Sequence, residues 1–271
     1  MIKVERISVM NMENAIRGAR NPLNSWAKSD SIFDIYCEHE DYGSECIDVV
    51  ADRWAEYLLK DQVYEEEKDY DNEFAKIVEE KREWLWHQGT SFIGTDHHYK
   101  LDLIGPNDMN LCRRLINGGS EHRKFLRQIF VSVDITAPLY WWKEADTYAV
   151  GVTKNSTSTM HKLASTEITL DCFETDDFTD FADIDERLNL DTIITYCETL
   201  RQKYLETKDK RYWKELIRWL PNGWLQTRTV TMNYENLRSM CHQRMGHKLS
   251  EWRSFLKWAD TLPYAKELIF D

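Results

Sequence analysis

Residues 233–252, NYENLRSMCHQRMGHKLSEW, predict a helix that carries an arginine on its inward side. Asn233, Leu237, Met240 and Arg244 recur at i, i+4, i+7 and i+11, which places them in one helical stripe about 40° wide. A stripe with Leu and Met should face the interior, where a guanidinium is costly unless it meets an anion or several acceptors. Arg244 therefore either reaches along an apolar face, pairs with an internal carboxylate, or points into a ligand cavity.

The elements around this helix predict an α+β fold. Alternating or β-rich patterns predict strands at residues 3–9, 130–135 and 226–232. Helical patterns cover residues 12–20, 44–60, 63–86, 107–116, 188–205 and 211–220, with Asn107 and Asp108 as caps of the fourth. Residues 89–106 have the composition of a loop. Because strands and long helices mix without a βαβ rhythm, we expect a mixed sheet packed with helices in a single domain, 1–271.

Charge and cysteine content exclude several classes of protein. The net charge of −12 opposes a sequence-independent nucleic-acid binder, although a single nucleotide could still bind in a local basic pocket. The six cysteines form no CxxC pair, so we expect reduced thiols and no structural metal. The first residues lack a signal-peptide layout and no apolar run is long enough to span a bilayer, which predicts a cytoplasmic protein without membrane contact.

Two polar segments are candidates for binding. Residues 137–163, APLYWWKEADTYAVGVTKNSTSTMHKL, fit either a hydroxyl-rich surface loop or a site where rings stack on the Trp pair and polar groups orient a ligand. Hydroxyls and Lys154 of this segment can donate to a phosphate. The second segment holds the one dense basic cluster of an acidic sequence, formed by His122, Arg123, Lys124 and Arg127. It favours an anionic cofactor or a nucleotide phosphate, although His122 by itself also fits a structural role.

The pattern Asn-x-x-x-Leu-x-x-x-x-x-x-Arg of residues 233–244 resembles the C-terminal signature of the flavin-dependent thymidylate synthases. Residues 17–21 (RGARN) and 119–128 (GSEHRKFLRQ) are similar to two further family segments. Residues 137–163 align without a gap to the segment that carries the family's Arg-His-Arg, but Thr147, Tyr148 and Ala149 stand in its place. The resemblance runs in order through residues 1–25 and 106–255. It leaves residues 26–105 as an acidic helical insertion.

The resemblance implies roles for individual residues. Arg244 would be the catalytic residue that polarises the pyrimidine. The substrate side would be formed by Arg218, Glu144, Asn155 and Thr157, with Arg218 and Thr157 on the phosphate. The cofactor side would be formed by His122, Lys124, Tyr148, Asn233 and Ser239. The segments WWKE-x-DTY and STMH resemble those of phage and prophage relatives, which would make the altered motif a subfamily feature.

The family resemblance also implies a reaction and its partners. Reduced FAD would pass a hydride while a one-carbon unit moves from methylenetetrahydrofolate to C5 of dUMP, with NADPH reducing the flavin. The protein would be a homotetramer with sites between subunits. Each charge-assisted bond lost with the Arg-His-Arg would cost about 1.5–3 kcal/mol, so we expect a pyrimidine nucleotide to bind more tightly than FAD. The alternative is a non-enzymatic nucleotide-binding or interaction protein that has kept the fold and lost flavin catalysis.

Overall fold

The computed structural model describes residues 2–37, 51–52, 55–56, 59, 66–88, 99–158, 163–175 and 184–271. Its strands are β1 (Lys3–Met10), β2 (Ile32–Cys37), β3 (Tyr99–Leu103), β4 (Phe130–Pro138), β5 (Thr153–Ser156) and β6 (Leu225–Asn233). Its helices are α1 (Met12–Arg20), α2 (Glu67–Gln88), α3 (Pro106–Asn117), α4 (Leu139–Ala145), α5 (Ile184–Thr207), α6 (Lys210–Trp219), α7 (Tyr234–Arg244) and α8 (Ser250–Ala259). In the described ranges, no helix combines the length and apolarity needed to cross a bilayer.

These elements confirm the predicted α+β class, and most predicted bounds differ from the observed ones by a few residues. The prediction of a loop at residues 89–106 is wrong for Tyr99–Leu103, because these residues form β3, which pairs antiparallel with β2. The sequence of β3, YKLDL, alternates apolar and polar residues, which is the period of a half-buried strand. The helix expected at residues 44–60 lies largely outside the described residues.

The chain divides into two compact units, each assembled from three segments. The first unit comprises Met1–Arg6, Ser132–Thr231 and Gly246–Phe255. The second comprises Ile7–Val131, Met232–Met245 and Leu256–Asp271. The domain bounds expected from the sequence, 1–271 with 26–105 inserted, stay a prediction.

The larger sheet has the strand order β1-β4-β6-β5. Within the first unit, β5 and β6 are antiparallel, with Asn155 opposite Thr229 and Ser156 opposite Arg228. Alternate residues of β4 are buried, including Val133 and Ile135. Since successive side chains of a strand point to opposite faces, this part of the sheet has one apolar face and one polar face.

Hydroxyl groups connect the strands on the polar face. Thr229 Oγ1 donates to Asp134 Oδ1 at 2.5 Å, and the hydroxyls of Thr136 and Thr227 lie 2.7 Å apart. Such cross-strand hydrogen bonds contribute several tenths of a kcal/mol each, up to about 1 kcal/mol. They keep the polar side chains of neighbouring strands in fixed positions.

Aromatic rings form the core of the first unit. Trp141 and Trp142 of α4 are both 1% exposed, and Trp252 and Phe255 of α8 pack against Trp141 with ring centroids 4.9 and 5.8 Å away. Buried aromatic side chains remove large apolar areas from water, and tilted pairs add about 0.5–1.5 kcal/mol beyond that area. This core fixes α4, and with it the polar segment that follows.

A second cluster of buried residues joins the α5–α6 hairpin to the chain before it. Glu198 of α5 lies at its edge, where it accepts two hydrogen bonds from Arg201, at 2.7 and 2.6 Å, and one from the backbone N–H of Ile168, at 2.8 Å. The Arg201 guanidinium holds the pKa of the Glu198 carboxyl at about 2, well below its usual 4.5. The charged carboxylate therefore stabilises the folded state.

Glu198→Gln tests this contribution through its pH dependence. A carboxyl with a depressed pKa stabilises the fold above its unfolded pKa, and the effect is lost as pH falls from about 4.5 to about 2. We expect the variant to be about 1–3 kcal/mol less stable than the wild type at neutral pH, by urea denaturation, with the difference shrinking in that acid window. Glu206→Gln, an exposed position of the same helix, is the control. A difference that stays constant with pH would contradict the assignment.

In the second unit, the inward stripe of α7 is confirmed. Leu237 is fully buried and Met240 is 3% exposed. The predicted caps of α3 are wrong, because Gly105 precedes the helix and Asp108 lies inside it. The carboxylate of Asp30, from a distant part of the chain, accepts hydrogen bonds from the first backbone N–H groups of α3 instead. The helix ends at Gly118, as expected.

Candidate functional site

The structure divides the predicted site residues between the two units. Five lie in the first unit, namely Glu144, Tyr148, Asn155, Thr157 and Arg218. Five lie in the second, namely Arg244, Asn233, Ser239, His122 and Lys124. Their local surroundings show which side chains have polar groups available for a ligand and which are used within the fold.

Arg244 is the last residue of α7 and is half-buried. The buried Leu237 and Met240 precede it on the same stripe. At 1.5 Å per residue, Asn233 and Arg244 are about 16 Å apart along the helix axis. The two residues therefore lie at opposite ends of α7.

Asn233 forms the N-cap of α7. Its side-chain oxygen accepts from the backbone N–H of Asn236 at 2.9 Å, and the Asn236 side chain accepts from the backbone N–H of Asn233 at 3.2 Å. Asn233 is 8% exposed. The residue predicted to bind a cofactor thus has a structural role at the start of the helix. Further along α7, Ser239 Oγ accepts from the side chain of Gln243 at 2.9 Å.

Replacing this cap should reduce stability in a way that depends on the side-chain oxygen. We expect Asn233→Ala to lower the unfolding free energy by about 0.5–2 kcal/mol, measured by urea denaturation. Asn233→Asp keeps an oxygen that can accept from the Asn236 N–H and should remain close to the wild type. Equal stability of Asn233→Ala and the wild type would show that the cap contributes nothing.

The predicted basic cluster is largely paired with acids inside the second unit. Arg123 Nε lies 2.8 Å from Glu235 Oε2, and Lys124 Nζ lies 3.3 Å from Glu121. His122 is exposed and follows the turn at Gly118 that ends α3. Since two of the cations have carboxylate partners, the net positive charge of this cluster is smaller than its sequence suggests.

Glu144 and Tyr148 meet around the ring of Trp252 in the first unit. Glu144 Oε2 accepts from Trp252 Nε1 at 2.9 Å, and His247 Nε2 lies 3.4 Å from the same oxygen. The ring of Tyr148 meets Trp252 edge-on, with centroids 6.2 Å apart. Glu144 and Tyr148 are therefore neighbours, and the contacts described here are with other residues of the protein.

The interpretation of Trp141 and Trp142 as an accessible stacking surface is wrong. Both rings are almost fully buried, and Trp142 Nε1 donates to the backbone oxygen of Gln226 at 2.9 Å. The error arises because a Trp pair beside polar residues has the same sequence whether it lines a cleft or fills the core. Their almost complete burial assigns both rings to the core.

Lys154, considered as a phosphate donor, is directed toward other groups. Its Nζ lies 3.1 Å from Asp146 Oδ1 and 2.8 Å from the backbone oxygen of Ala145. Arg228 of β6 shares this carboxylate, with Nη1 2.8 Å from Asp146 Oδ1 and Cζ 4.2 Å from the centre of the Trp142 ring. The side chains of Lys154 and Arg228 are each 14% exposed.

Arg228 is a charged residue that was not among the site residues predicted from the sequence. The two-residue period of β6 could have identified it, because Arg228 lies on the same face of the strand as Gln226 and Val230, which are both buried. An arginine in such a position must find acceptors, as it does in Asp146 and in the side chain of Gln226 at 3.0 Å. Periodicity thus identifies Arg228 on a strand in the same way as it identifies Arg244 on a helix.

Asn155 and Thr157 are exposed on the polar side of the sheet. The backbone N–H of Thr157 donates to Thr227 O at 2.9 Å, which continues the strand contact beyond β5. Arg218 is exposed on α6 and pairs with Glu215, one turn earlier. Thr159, aligned with a family arginine, lies outside the described residues.

Two buried thiols offer no alternative chemistry. Burial raises the pKa of Cys112 to about 12, with a further contribution from the Asp108 carboxylate. Burial likewise raises the pKa of Cys241 to about 12. A thiol with such a pKa stays protonated at neutral pH and is a poor nucleophile.

The residues at the cofactor positions do not fit a flavin well. Asn233 caps a helix, Lys124 pairs with Glu121, and Tyr148 packs on Trp252. The family's Arg-His-Arg is replaced by Thr147, Tyr148 and Ala149, which supply no positive charge. Among these side chains, Lys124 alone carries a permanent cation for the flavin phosphates, and it is paired.

Comparisons with known proteins find similarity to solved structures. One is a structure of the flavin-dependent thymidylate synthase ThyX from Helicobacter pylori complexed with FAD and dUMP, at 15% identity and a TM-score of 0.47, covering 88% of this chain and 97% of that chain. Another, of Thymidylate Synthase X from the same organism with FAD and dUMP, is 16% identical with a TM-score of 0.47, covering 90% and 97%. No family model and no curated protein matches the chain. At this level of similarity, a functional proposal has to rest on the chain's own residues.

Proposed function

We propose that this chain binds a pyrimidine nucleotide, with dUMP as the expected ligand. The observation that carries the proposal is the position of Arg244, half-buried at the end of a helix whose inward stripe also holds the buried Leu237 and Met240. A guanidinium in this position can donate to a carbonyl oxygen of a planar base. The ordered resemblance of the sequence to the flavin-dependent thymidylate synthases supports the same ligand.

The phosphate of the nucleotide would be held by Arg218 and Thr157. Arg218 pairs with Glu215 on the surface of α6, and its side chain is 57% exposed. An exposed pair three residues apart on a helix contributes little to stability, so Arg218 can exchange Glu215 for a phosphate at low cost. Asn155, exposed on the same side of the sheet as Thr157, would add a neutral donor, and Glu144 would complete the substrate side.

Two functions are compatible with nucleotide binding, and we favour the second. The first is FAD-dependent methylation at C5 of dUMP, with methylenetetrahydrofolate and NADPH as cosubstrates. The second is nucleotide binding without flavin catalysis. Asn233 caps α7, Tyr148 packs on Trp252, and the positions of the family's Arg-His-Arg supply no cation, so these residues offer few groups to a flavin. We therefore propose that the chain binds dUMP more tightly than FAD.

A homotetramer is part of the proposal. The resemblance to the flavin-dependent thymidylate synthases supports it, because the sites of that family lie between subunits. Light scattering coupled to gel filtration measures the mass directly. A monomer at high protein concentration would remove this part of the proposal and leave nucleotide binding by a single chain to be tested.

Substitution of Arg244 should weaken nucleotide binding without unfolding the protein. Loss of one charge-assisted hydrogen bond costs about 1.5–3 kcal/mol, so we expect Arg244→Gln to reduce dUMP affinity by at least about 10-fold in isothermal titration calorimetry. Arg253→Gln removes the same charge at an exposed position of α8 and serves as the control. Equal dUMP affinity in the two variants would exclude Arg244 from the site.

A test of flavin binding distinguishes flavin-dependent methylation from nucleotide binding without catalysis. We expect the purified protein to be colourless and to gain thermal stability from dUMP, since a ligand specific for the folded state raises its stability. We also expect no release of tritium from C5-labelled dUMP when FAD, NADPH and methylenetetrahydrofolate are supplied. A yellow protein that titrates FAD at micromolar affinity or better, together with tritium release, would establish the flavin enzyme instead.

A further inference from the structure

A cavity in the second unit is lined by basic and amide side chains. Its volume is about 630 Å³, and the described residues that line it are Arg20, Lys28, Asn107, Asn110 and Arg114. Three of these side chains are cations and none is acidic, in a chain whose net charge is −12. A concave surface lined by one sign of charge concentrates ions of the opposite sign. The cavity is therefore suited to an anion.

Two of the three cations have no acidic partner of their own. Lys28 and Arg114 are exposed, and neither forms an ion pair with any residue that the structure describes. In the basic cluster predicted from the sequence, Arg123 and Lys124 are each paired with a glutamate. The positive charge of the cavity is thus less neutralised than that of the basic cluster predicted from the sequence.

The third cation, Arg20, is buried and only partly satisfied. It is 5% exposed, its Nε donates to Asp108 Oδ1 at 2.5 Å, and its Nη1 donates to Ser25 O at 3.3 Å. Among the described residues, no hydrogen bond uses its second terminal nitrogen, Nη2. Nη2 is not among the fully buried polar atoms that lack a partner in the described residues, so it keeps access to solvent and can donate to a ligand.

Of the nearby carboxylates, Asp108 neutralises Arg20 through their ion pair, which leaves Lys28 and Arg114 as the cavity cations that have no acidic partner among the described residues. Asp108 Oδ2 accepts from the hydroxyls of Ser29 and Ser31, at 2.6 and 2.5 Å. Asp30 accepts from the first backbone N–H groups of α3. Both carboxylates are engaged with donors, and neither lines the cavity. Since the start of α3 is already capped, a ligand would be held by side chains.

We propose that this cavity binds a small phosphorylated molecule. Arg20 Nη2, Lys28 and Arg114 would contact the phosphate oxygens, because guanidinium and ammonium groups are the usual partners of phosphate. Asn107 and Asn110 lie three residues apart on one side of α3, and their amides would orient the remainder of the ligand. The volume falls in the range of roughly 300–1,000 Å³ that small-molecule sites occupy.

None of these five residues is among the predicted site residues, so the cavity goes beyond the proposed nucleotide site. The test uses the full chain and titrates pyrophosphate and inorganic phosphate by calorimetry at constant ionic strength, since free salt screens such contacts. We expect Arg114→Gln and Lys28→Gln each to reduce pyrophosphate affinity by at least about 10-fold. Arg113→Gln, one residue away on the same helix and outside the cavity lining, should bind as the wild type does.

A second measurement separates binding from folding. Because like charges in the cavity repel, we expect Arg114→Gln and Lys28→Gln to be at least as thermally stable as the wild type without ligand. Both variants should lose the thermal stabilisation that pyrophosphate gives the wild type. The proposal is overturned if the wild type shows no millimolar pyrophosphate binding, or if both cavity variants bind it as the wild type does. A dUMP titration of Arg244→Gln reports independently on the nucleotide proposal.

Discussion

The buried ion pair between Arg20 and Asp108 is the interaction on which the described part of the second unit depends. It joins the end of α1 to the first turn of α3, and Ser29 and Ser31 complete the hydrogen bonding of the carboxylate. A buried charge is tolerated only when it is paired and its remaining lone pairs or protons are satisfied. The pair therefore fixes the segment before β2 against α3 and determines where the cavity lies.

The same constraint on inward cations organises the first unit. Lys154 and Arg228 share the carboxylate of Asp146, and the face of the Trp142 ring accepts the Arg228 guanidinium. Polar groups at the edge of the aromatic core are satisfied in a similar way, since the indole N–H of Trp252 donates to Glu144. An acidic chain supplies such carboxylates readily. Many of its arginines and lysines consequently serve the fold before they can serve a ligand.

Whether a side chain is already used within the fold also distinguishes the two candidate ligands, a nucleotide and a flavin. The flavin side of the predicted site includes Asn233, which caps a helix, and Tyr148, which packs on Trp252, whereas Arg218 is exposed and paired only on the surface. A nucleotide monophosphate needs fewer charge-assisted contacts than a dinucleotide cofactor. The cavity at Arg20 adds a second location where positive charge is left for an anion.

The sequence by itself determined the α+β class, the bounds of most helices and strands, and the burial of Leu237 and Met240, because these follow from local periodicity along the chain. It also selected Arg244 as an inward cation, and the same period would have selected Arg228. The tertiary structure decided which partner each polar group found. Asp30 caps α3 from more than 70 positions away, Asp108 meets Arg20 across 88, and Arg228 meets Asp146 across 82. Such pairings depend on packing between distant segments, and a short stretch of sequence carries no information about them.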